Sequence, residues 1–279
     1  MKPTKQRPKE ISRPKLRNPC PPPGISQASP GSDRPTAVTI ISPSYHSVGA
    51  EAVRRMKKFS GLHVKVIECS DEEGFETKLN LDMIMDRKKF LFFDSDYWLL
   101  RKLPLDSWDG SAWLAVNDPG VFAPYAFPFS DCKREGMDRA KYWNSGFFCC
   151  DTRRPEHRAV FQEARALRKR VMSGTASKPD DFGDQYYLNM ACQKLATPTI
   201  LLPFVFNFYR HMISGGCYPF IPAEVIGLHA AGVPVKAKRP GHEDKLMHLT
   251  YMSKALSYPT ITYQDDAMRC SWAKNYQLL

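Results

Sequence analysis

The period of apolar positions changes repeatedly along the first half of the chain. Residues 36–42, TAVTIIS, are β-branched and continuously apolar, which predicts a buried strand. Residues 49–59 read as a short helix. Residues 62–68, LHVKVIE, alternate and predict a second strand. In residues 75–88 the apolar Leu79, Met83 and Ile84 recur at helical spacing. Residues 90–96, FLFFDSD, form a third strand that is apolar on both faces. This order, strand-helix-strand-helix-strand, predicts an α/β fold: a mostly parallel central sheet covered by flanking helices.

Further strands are expected at 111–118 and 144–151. A basic helix at 155–172 carries apolar Ala159, Val160, Ala164 and Leu167, and another helix spans 184–195. Residues 199–207, TILLPFVFN, run into a strand. Residues 121–143 have no clean period. They place Phe122, Tyr125, Phe127 and Phe129 ahead of Lys133, Arg134, Arg139 and Lys141. Such a segment is either a loop that receives substrate beside a site or one that folds back over the sheet.

The third strand poses a chemical question. The run Phe90-Leu91-Phe92-Phe93 ends on Asp94 and Asp96, and apolar residues resume at Tyr97. In open α/β sheets ligands gather at the carboxyl ends of strands. Alternation puts both carboxylates on one side, with Ser95 opposite. Two such charges resist joint ionisation unless a cation stands between them. A hard divalent cation, Mn²⁺ or Mg²⁺, would take these oxygens together with those of a diphosphate.

Composition adds a second theme. The chain has 279 residues and a formal net charge of +11, with 43% hydrophobic and 12% aromatic residues. Residues 1–35 hold eight Lys/Arg against Glu10 and Asp33, a net +6, and nine prolines. They form a basic tail expected to be disordered or extended, ahead of a single domain over 36–279. Such a balance favours polyanionic partners or anionic substrates. No apolar stretch approaches the ~20 residues of a membrane span, and no signal peptide is visible, so a soluble cytoplasmic protein is expected. Cys149 and Cys150 are adjacent and point to opposite faces of a strand, and the thiols are expected to be reduced.

Five stretches in order carry a resemblance: TKLNLDMIMDRKKFLFFDSDYWLLRKLPLD, YWNSGFFCCDT, DFGDQYYLN, LLPFVFNFY and IGLHAAGVPVK. Together they resemble the retaining, GT-A-fold glycosyltransferases of the glycogenin and bacterial galactosyltransferase kind, family eight. The resemblance implies that Asp94, Asp96 and His229 bind Mn²⁺ or Mg²⁺. It implies that Gly232 lets backbone approach the diphosphate and that Lys236 meets it. The family usually has two residues between that Gly and Lys, and here Val233-Pro234-Val235 makes three, so Lys238 and Arg239 are alternatives. Asn144, Ser145 and Gly146 would line the sugar pocket beside Ser95. Asp184 would bond sugar hydroxyls, Gln185 would lie near the anomeric carbon, and Tyr45 would stack on the base.

The implied reaction moves a hexose from a nucleoside diphosphate sugar, UDP-hexose foremost, to an acceptor hydroxyl with retention. An inverting enzyme would need an Asp or Glu base, for which Asp180, Asp181 and Asp184 are candidates. The acceptor is a saccharide, lipid-linked or protein hydroxyl, or alternatively a hydroxymethylated base in DNA, which would have to be exposed by flipping or as a single strand. Rival readings are a metal-dependent nuclease or phosphotransferase and a non-catalytic module that binds sugar nucleotide or nucleic acid.

Overall fold

The computed structural model describes residues 34–118, 127–180, 183–209, 225–233, 235 and 244–255. The basic tail up to residue 33, Phe122, Tyr125, Asp181, Lys236, Lys238 and Arg239 lie outside them.

The first half contains β1 (Thr36–Ile41), α1 (His46–Ser60), β2 (Val64–Glu68), α2 (Gly74–Leu79), α3 (Leu81–Ile84), β3 (Lys89–Phe93), β4 (Tyr97–Leu99) and β5 (Trp113–Asn117). The second half adds α4 (Phe127–Glu135), β6 (Trp143–Asp151), α5 (Pro155–Met172), α6 (Gly183–Lys194), β7 (Thr199–Leu202), β8 (Phe208–Tyr209), β9 (Gly227–His229) and α7 (Lys245–Ala255). Among the described residues the main sheet has the order β2-β1-β3-β6-β5-β7, and a small sheet has the order β4-β9-β8. β1 pairs parallel with β2 and β3, and β5 with β7, while β6 runs antiparallel to both its neighbours.

Burial on both faces explains the continuous apolar runs of the central strands. Phe90 and Phe92 of β3 face Val160, Phe161 and Ala164 of α5 and Tyr186 and Leu188 of α6. Leu91 and Phe93 face the opposite core, built with Ala52 and Met56 of α1, the small sheet, and Leu249 and Met252 of α7. Cys149 and Cys150 fall into opposite cores, as their adjacency predicts, and the described cysteines are free thiols. No described helix is long and apolar enough to cross a membrane.

Four local expectations are corrected. The predicted helix over 75–88 is two short helices meeting at Asn80, closed by a turn in which Arg87 has φ of 52°. Its inward residues are Leu79, Leu81 and Met85, while Met83 is exposed. The helix expected from Gly49 starts at His46, after a 3-10 turn over Pro43–Tyr45. Residues 127–135 of the aperiodic stretch form a helix, α4. The strand expected through Asp96 stops at Phe93, so Asp94 to Asp96 form a turn into β4, closed by the Tyr97 N–H donating to the Asp94 carbonyl at 2.9 Å.

The break at Asn80 has a structural partner. Asp82 is buried, and the Arg165 guanidinium of α5 grips it with bonds of 2.5 and 3.0 Å while donating to the Leu79 carbonyl at 2.7 Å. This fork fixes the α2–α3 corner against α5. Arg165→Ala should leave a buried carboxylate unpaired and lower stability by about 3 kcal/mol, at the low end for a broken buried pair because Arg165 is partly exposed. Urea unfolding measures it; a loss below about 1 kcal/mol would mean that the corner does not depend on the pair.

Candidate metal and sugar-nucleotide cleft

The turn between β3 and β4 places Asp94 and Asp96 beside the end of β9. Register explains the meeting: Tyr97 of β4 pairs with His229 of β9, and the Ala230 N–H donates to the Asp96 carbonyl at 3.1 Å. His229 Nε2 lies 3.6 Å from Asp94 Oδ2 and 3.3 Å from Asp96 Oδ1. One donor atom from each of the three residues lies within 4.8 Å of the others. Adjacent donors around an octahedral ion with bonds of about 2.1 Å sit roughly 3 Å apart, so a small contraction would close this face on a divalent ion. Two carboxylates and an imidazole are also the mixed oxygen–nitrogen set that suits Mn²⁺.

Each carboxylate is held from behind by a lysine that sequence reasoning did not single out. The Lys78 ammonium, from α2, lies 2.8 Å from Asp94 Oδ1 and 2.8 Å from Asp184 Oδ2. The Lys245 ammonium, first residue of α7, lies 2.5 Å from Asp96 Oδ2 and donates to the Ala230 carbonyl at 2.7 Å. Both lysines are buried. With all of these groups ionised, three carboxylates against two ammoniums leave a charge of −1.

Burial and partners divide the two acids. Burial pushes the Asp94 carboxyl above its ordinary range, more than Lys78 and His229 draw it down. Burial opposes the Asp96 charge as well, but Lys245 and His229 together outweigh it and hold that carboxyl far below its ordinary range. Burial disfavours the Lys78 charge, yet Asp184 and Asp94 more than offset this, so its ammonium is firmly protonated. Burial, then the charges of Asp96 and Asp94, push the Tyr45 phenol up, which keeps its proton in place.

Beyond the acids, hydrogen bonds replace ion pairs. The Ser145 hydroxyl donates to Asp184 Oδ2 at 2.7 Å, and the Ser145 N–H donates to Gln185 Oε1 at 3.1 Å. Gln185 Nε2 donates to Asp118 Oδ2 at 3.0 Å, and the Tyr209 hydroxyl donates to Asp118 Oδ1 at 2.5 Å. Asn144 Oδ1 accepts from the Gly146 N–H at 2.9 Å and from Asn207 Nδ2 at 2.8 Å. That carboxamide oxygen therefore ties the first residues of β6 to Asn207, as well as lining the cleft. Asp118 ends the apolar run of β5 as Asp94 ends that of β3, so the same signal could have found it.

The acids Asp94, Asp96 and Asp184, their two lysines and His229 line one cleft of about 260 Å³. It contains Tyr45, Lys78, Asp94, Ser95, Asp96, Asn144, Ser145, Gly146, Asp184, Gln185, His229, Gly232 and Lys245, with Asp71 and the exposed Phe75 toward Tyr45. Every predicted site residue among the described ones is thus brought together. Lys236 lies outside them. Gly232 has φ of 75°, which a side chain would strain. Arg134, in the stretch read either as a substrate loop or as a cover over the sheet, is engaged by Asp131, by Glu135 at 2.8 Å and by Asp180 at 2.9 Å.

No family model matches the chain, and no curated protein matches it. Solved structures do. The galactosyltransferase LgtC in complex with donor and acceptor sugar analogs aligns over 83% of this chain and 98% of its own, at 15% identity and a TM-score of 0.53. The bifunctional glycosyltransferase WbbM aligns over 74% of this chain at 13% identity and a TM-score of 0.54. The glycosyltransferase GlyE of Streptococcus pneumoniae TIGR4 aligns over 82% at 14% identity and a TM-score of 0.52. This chain spans 47% of WbbM and 66% of GlyE. The fold is therefore the GT-A type found in these glycosyltransferases.

Gly146 provides a direct test of the imidazole's placement. A Cβ built there would lie 2.2 Å from His229 Cε1 and 2.7 Å from its Nδ1. Gly146→Ala should displace the ring and lower Mn²⁺ affinity on the order of tenfold or more. Isothermal titration with Mn²⁺ measures this; wild-type affinity in the folded variant would show that His229 is not a ligand.

Proposed function

We propose that the protein is a metal-dependent glycosyltransferase that moves a hexose from a nucleoside diphosphate sugar to an acceptor hydroxyl, with retention at the anomeric carbon. One observation supports this most: the Asp94–Asp96–His229 group shares its cleft with the Asp184–Gln185–Ser145 network. A phosphate-facing end and a hydroxyl-facing end stand side by side, as a sugar nucleotide requires. The same sequence stretches carry the family-eight resemblance.

A divalent ion held by Asp94, Asp96 and His229 would supply Lewis acidity to the leaving diphosphate. The protein's own residues do the positioning. Lys78 and Ser145 both bond Asp184 Oδ2, which leaves Oδ1 to accept from sugar hydroxyls. Gln185, fixed between Ser145 and Asp118, presents its carboxamide near the anomeric carbon. Tyr45 stacks on the base, uridine foremost, and the Gly232 backbone and Lys236 meet the diphosphate.

Retention is supported by the state of the acids. An inverting base would need a carboxylate free to take a proton. Of the described candidates, Asp184 is held by Lys78 and Ser145, and Asp180 is paired with Arg134 and does not line the cleft, while Asp181 lies outside the described residues. A nuclease reading calls for further acids around a second ion. Among the described residues the candidate ligand group is Asp94, Asp96 and His229 alone. For the acceptor, a saccharide hydroxyl is the first choice. A hydroxymethylated base in DNA is the alternative that the charge of +11 favours, along with Arg139 stacked 5.1 Å from the Phe129 ring.

The test is donor hydrolysis and transfer with Mn²⁺ across a panel of nucleotide sugars. Asp94→Ala and Asp96→Ala should lower turnover on the order of a thousandfold. Gln185→Ala should lower transfer while leaving Mn²⁺ affinity near wild type. Turnover that persists in Asp94→Ala would overturn the metal role, and no reaction with any donor would favour a binding module. Mass spectrometry of glycans and of hydroxymethylated DNA after incubation assigns the acceptor by the hexose mass gained.

A further inference from the structure

Lys245 is not accounted for by ligand binding or sugar recognition. Its ammonium occupies Asp96 Oδ2, the oxygen facing away from His229, and it bonds the carbonyl of Ala230, the residue after His229. It lines the cleft and lies 5.6 Å from the Tyr45 ring centroid. Lys78 mirrors it on Asp94 with a difference that matters: Lys78 serves two carboxylates, Asp94 and Asp184, so a carboxylate remains beside it whatever Asp94 binds. Among the described residues, Asp96 is the one carboxylate paired with Lys245.

We propose that Lys245 is a built-in counter-cation of the metal site, which satisfies Asp96 in advance and so weakens metal binding by the chain alone. The inference rests on the metal site proposed above. Its argument is charge. Among the described residues the ionised cluster stands at −1 with both lysines present. A divalent ion takes it to +1 inside a buried cleft, and the diphosphate then restores negative charge. Without Lys245 the described cluster stands at −2, and Asp96 is buried without its described ammonium partner, a costly state that a cation between Asp96 and His229 relieves. Metal uptake is thereby coupled to arrival of the anionic substrate.

The opposite expectation is that Lys245 merely orients Asp96, so that its loss would weaken metal binding. The backbone argues against this. Asp96 and His229 are kept together by the Ala230 N–H bond to the Asp96 carbonyl, 3.1 Å, and by pairing of β4 with β9. These backbone bonds do not involve the Lys245 side chain, so its removal takes away a charge and leaves the β4–β9 pairing in place.

The experiment titrates Mn²⁺ alone into the full chain, free Mn²⁺ being read by electron paramagnetic resonance. Lys245→Met should bind Mn²⁺ more tightly, on the order of tenfold or more, because a unit charge facing the ion is removed from a poorly solvated site. Lys245→Arg keeps the charge and should stay within about threefold of wild type. Equal or weaker binding by a folded Lys245→Met overturns the proposal, as does equal tightening by Lys245→Arg. Should Lys245→Met not fold, Lys245→Gln takes its place with the same expectation. Asp96→Asn separates the two readings. If it leaves Mn²⁺ binding unchanged, the metal site falls and this inference with it. If it weakens binding while Lys245→Met fails to tighten it, only the counter-cation role is lost.

Discussion

Two buried ammonium groups hold three carboxylates in one cleft, and the rest of the site depends on that arrangement. Asp94, Asp96 and Asp184 come from the β3–β4 turn and from α6, and like charges so gathered would repel without partners. Lys78 bridges Asp94 and Asp184 at 2.8 Å each, and Lys245 closes on Asp96 at 2.5 Å. Each lysine lies on the carboxylate oxygen that faces away from His229, and the other oxygen of Asp94 and of Asp96 lies 3.6 and 3.3 Å from His229 Nε2.

The fold supplies these charges from far apart. Lys78 lies on a two-turn helix that must be braced, and Arg165 of α5 does so through Asp82 and the Leu79 carbonyl. The floor of the cleft is backbone: Gly146 accepts the Asp94 N–H at 2.9 Å and packs against the His229 ring, where a side chain would collide. Antiparallel β6 makes this possible, because its start, not its end, lies beside the carboxyl end of β3. Asn144, Ser145 and Gly146 thus reach the acids from a strand running the other way.

Periodicity made the sheet legible because β1, β3 and β6 are buried on both faces and leave long apolar runs. It failed at 75–88 because Asp82, a charged residue, is buried by Arg165 from 83 positions away, while Met83 beside it faces solvent. The site was legible where function leaves a local mark: acids ending an apolar strand, or Gly where backbone must approach. Lys78 and Lys245 have no such mark. A lysine on a polar helix reads as solvated, and its carboxylate partner lies 106 positions on for Lys78 with Asp184 and 149 positions back for Lys245 with Asp96. Alternation along a strand was also the wrong reason for Asp94 and Asp96 sharing a side. They share it because a turn directs both toward β9.

The two ends of the cleft differ in the kind of bond that builds them, and the difference fits the tasks proposed for them. At the Asp94–Asp96–His229 end ion pairs dominate, and their energy changes steeply with any added charge. At the other end Gln185 is fixed by neutral and charge-assisted hydrogen bonds through Ser145, Asp118 and Tyr209. Such bonds fix direction more than they respond to charge. A sugar nucleotide asks for this division. Its diphosphate carries the charge that changes when the glycosidic bond breaks, while its sugar carries hydroxyls whose orientation must stay constant as that happens. Lys78 joins the two ends by ion pairs, through Asp94 and Asp184. Under the proposed function, a change of charge at Asp94 would be felt at Asp184 through a single ammonium.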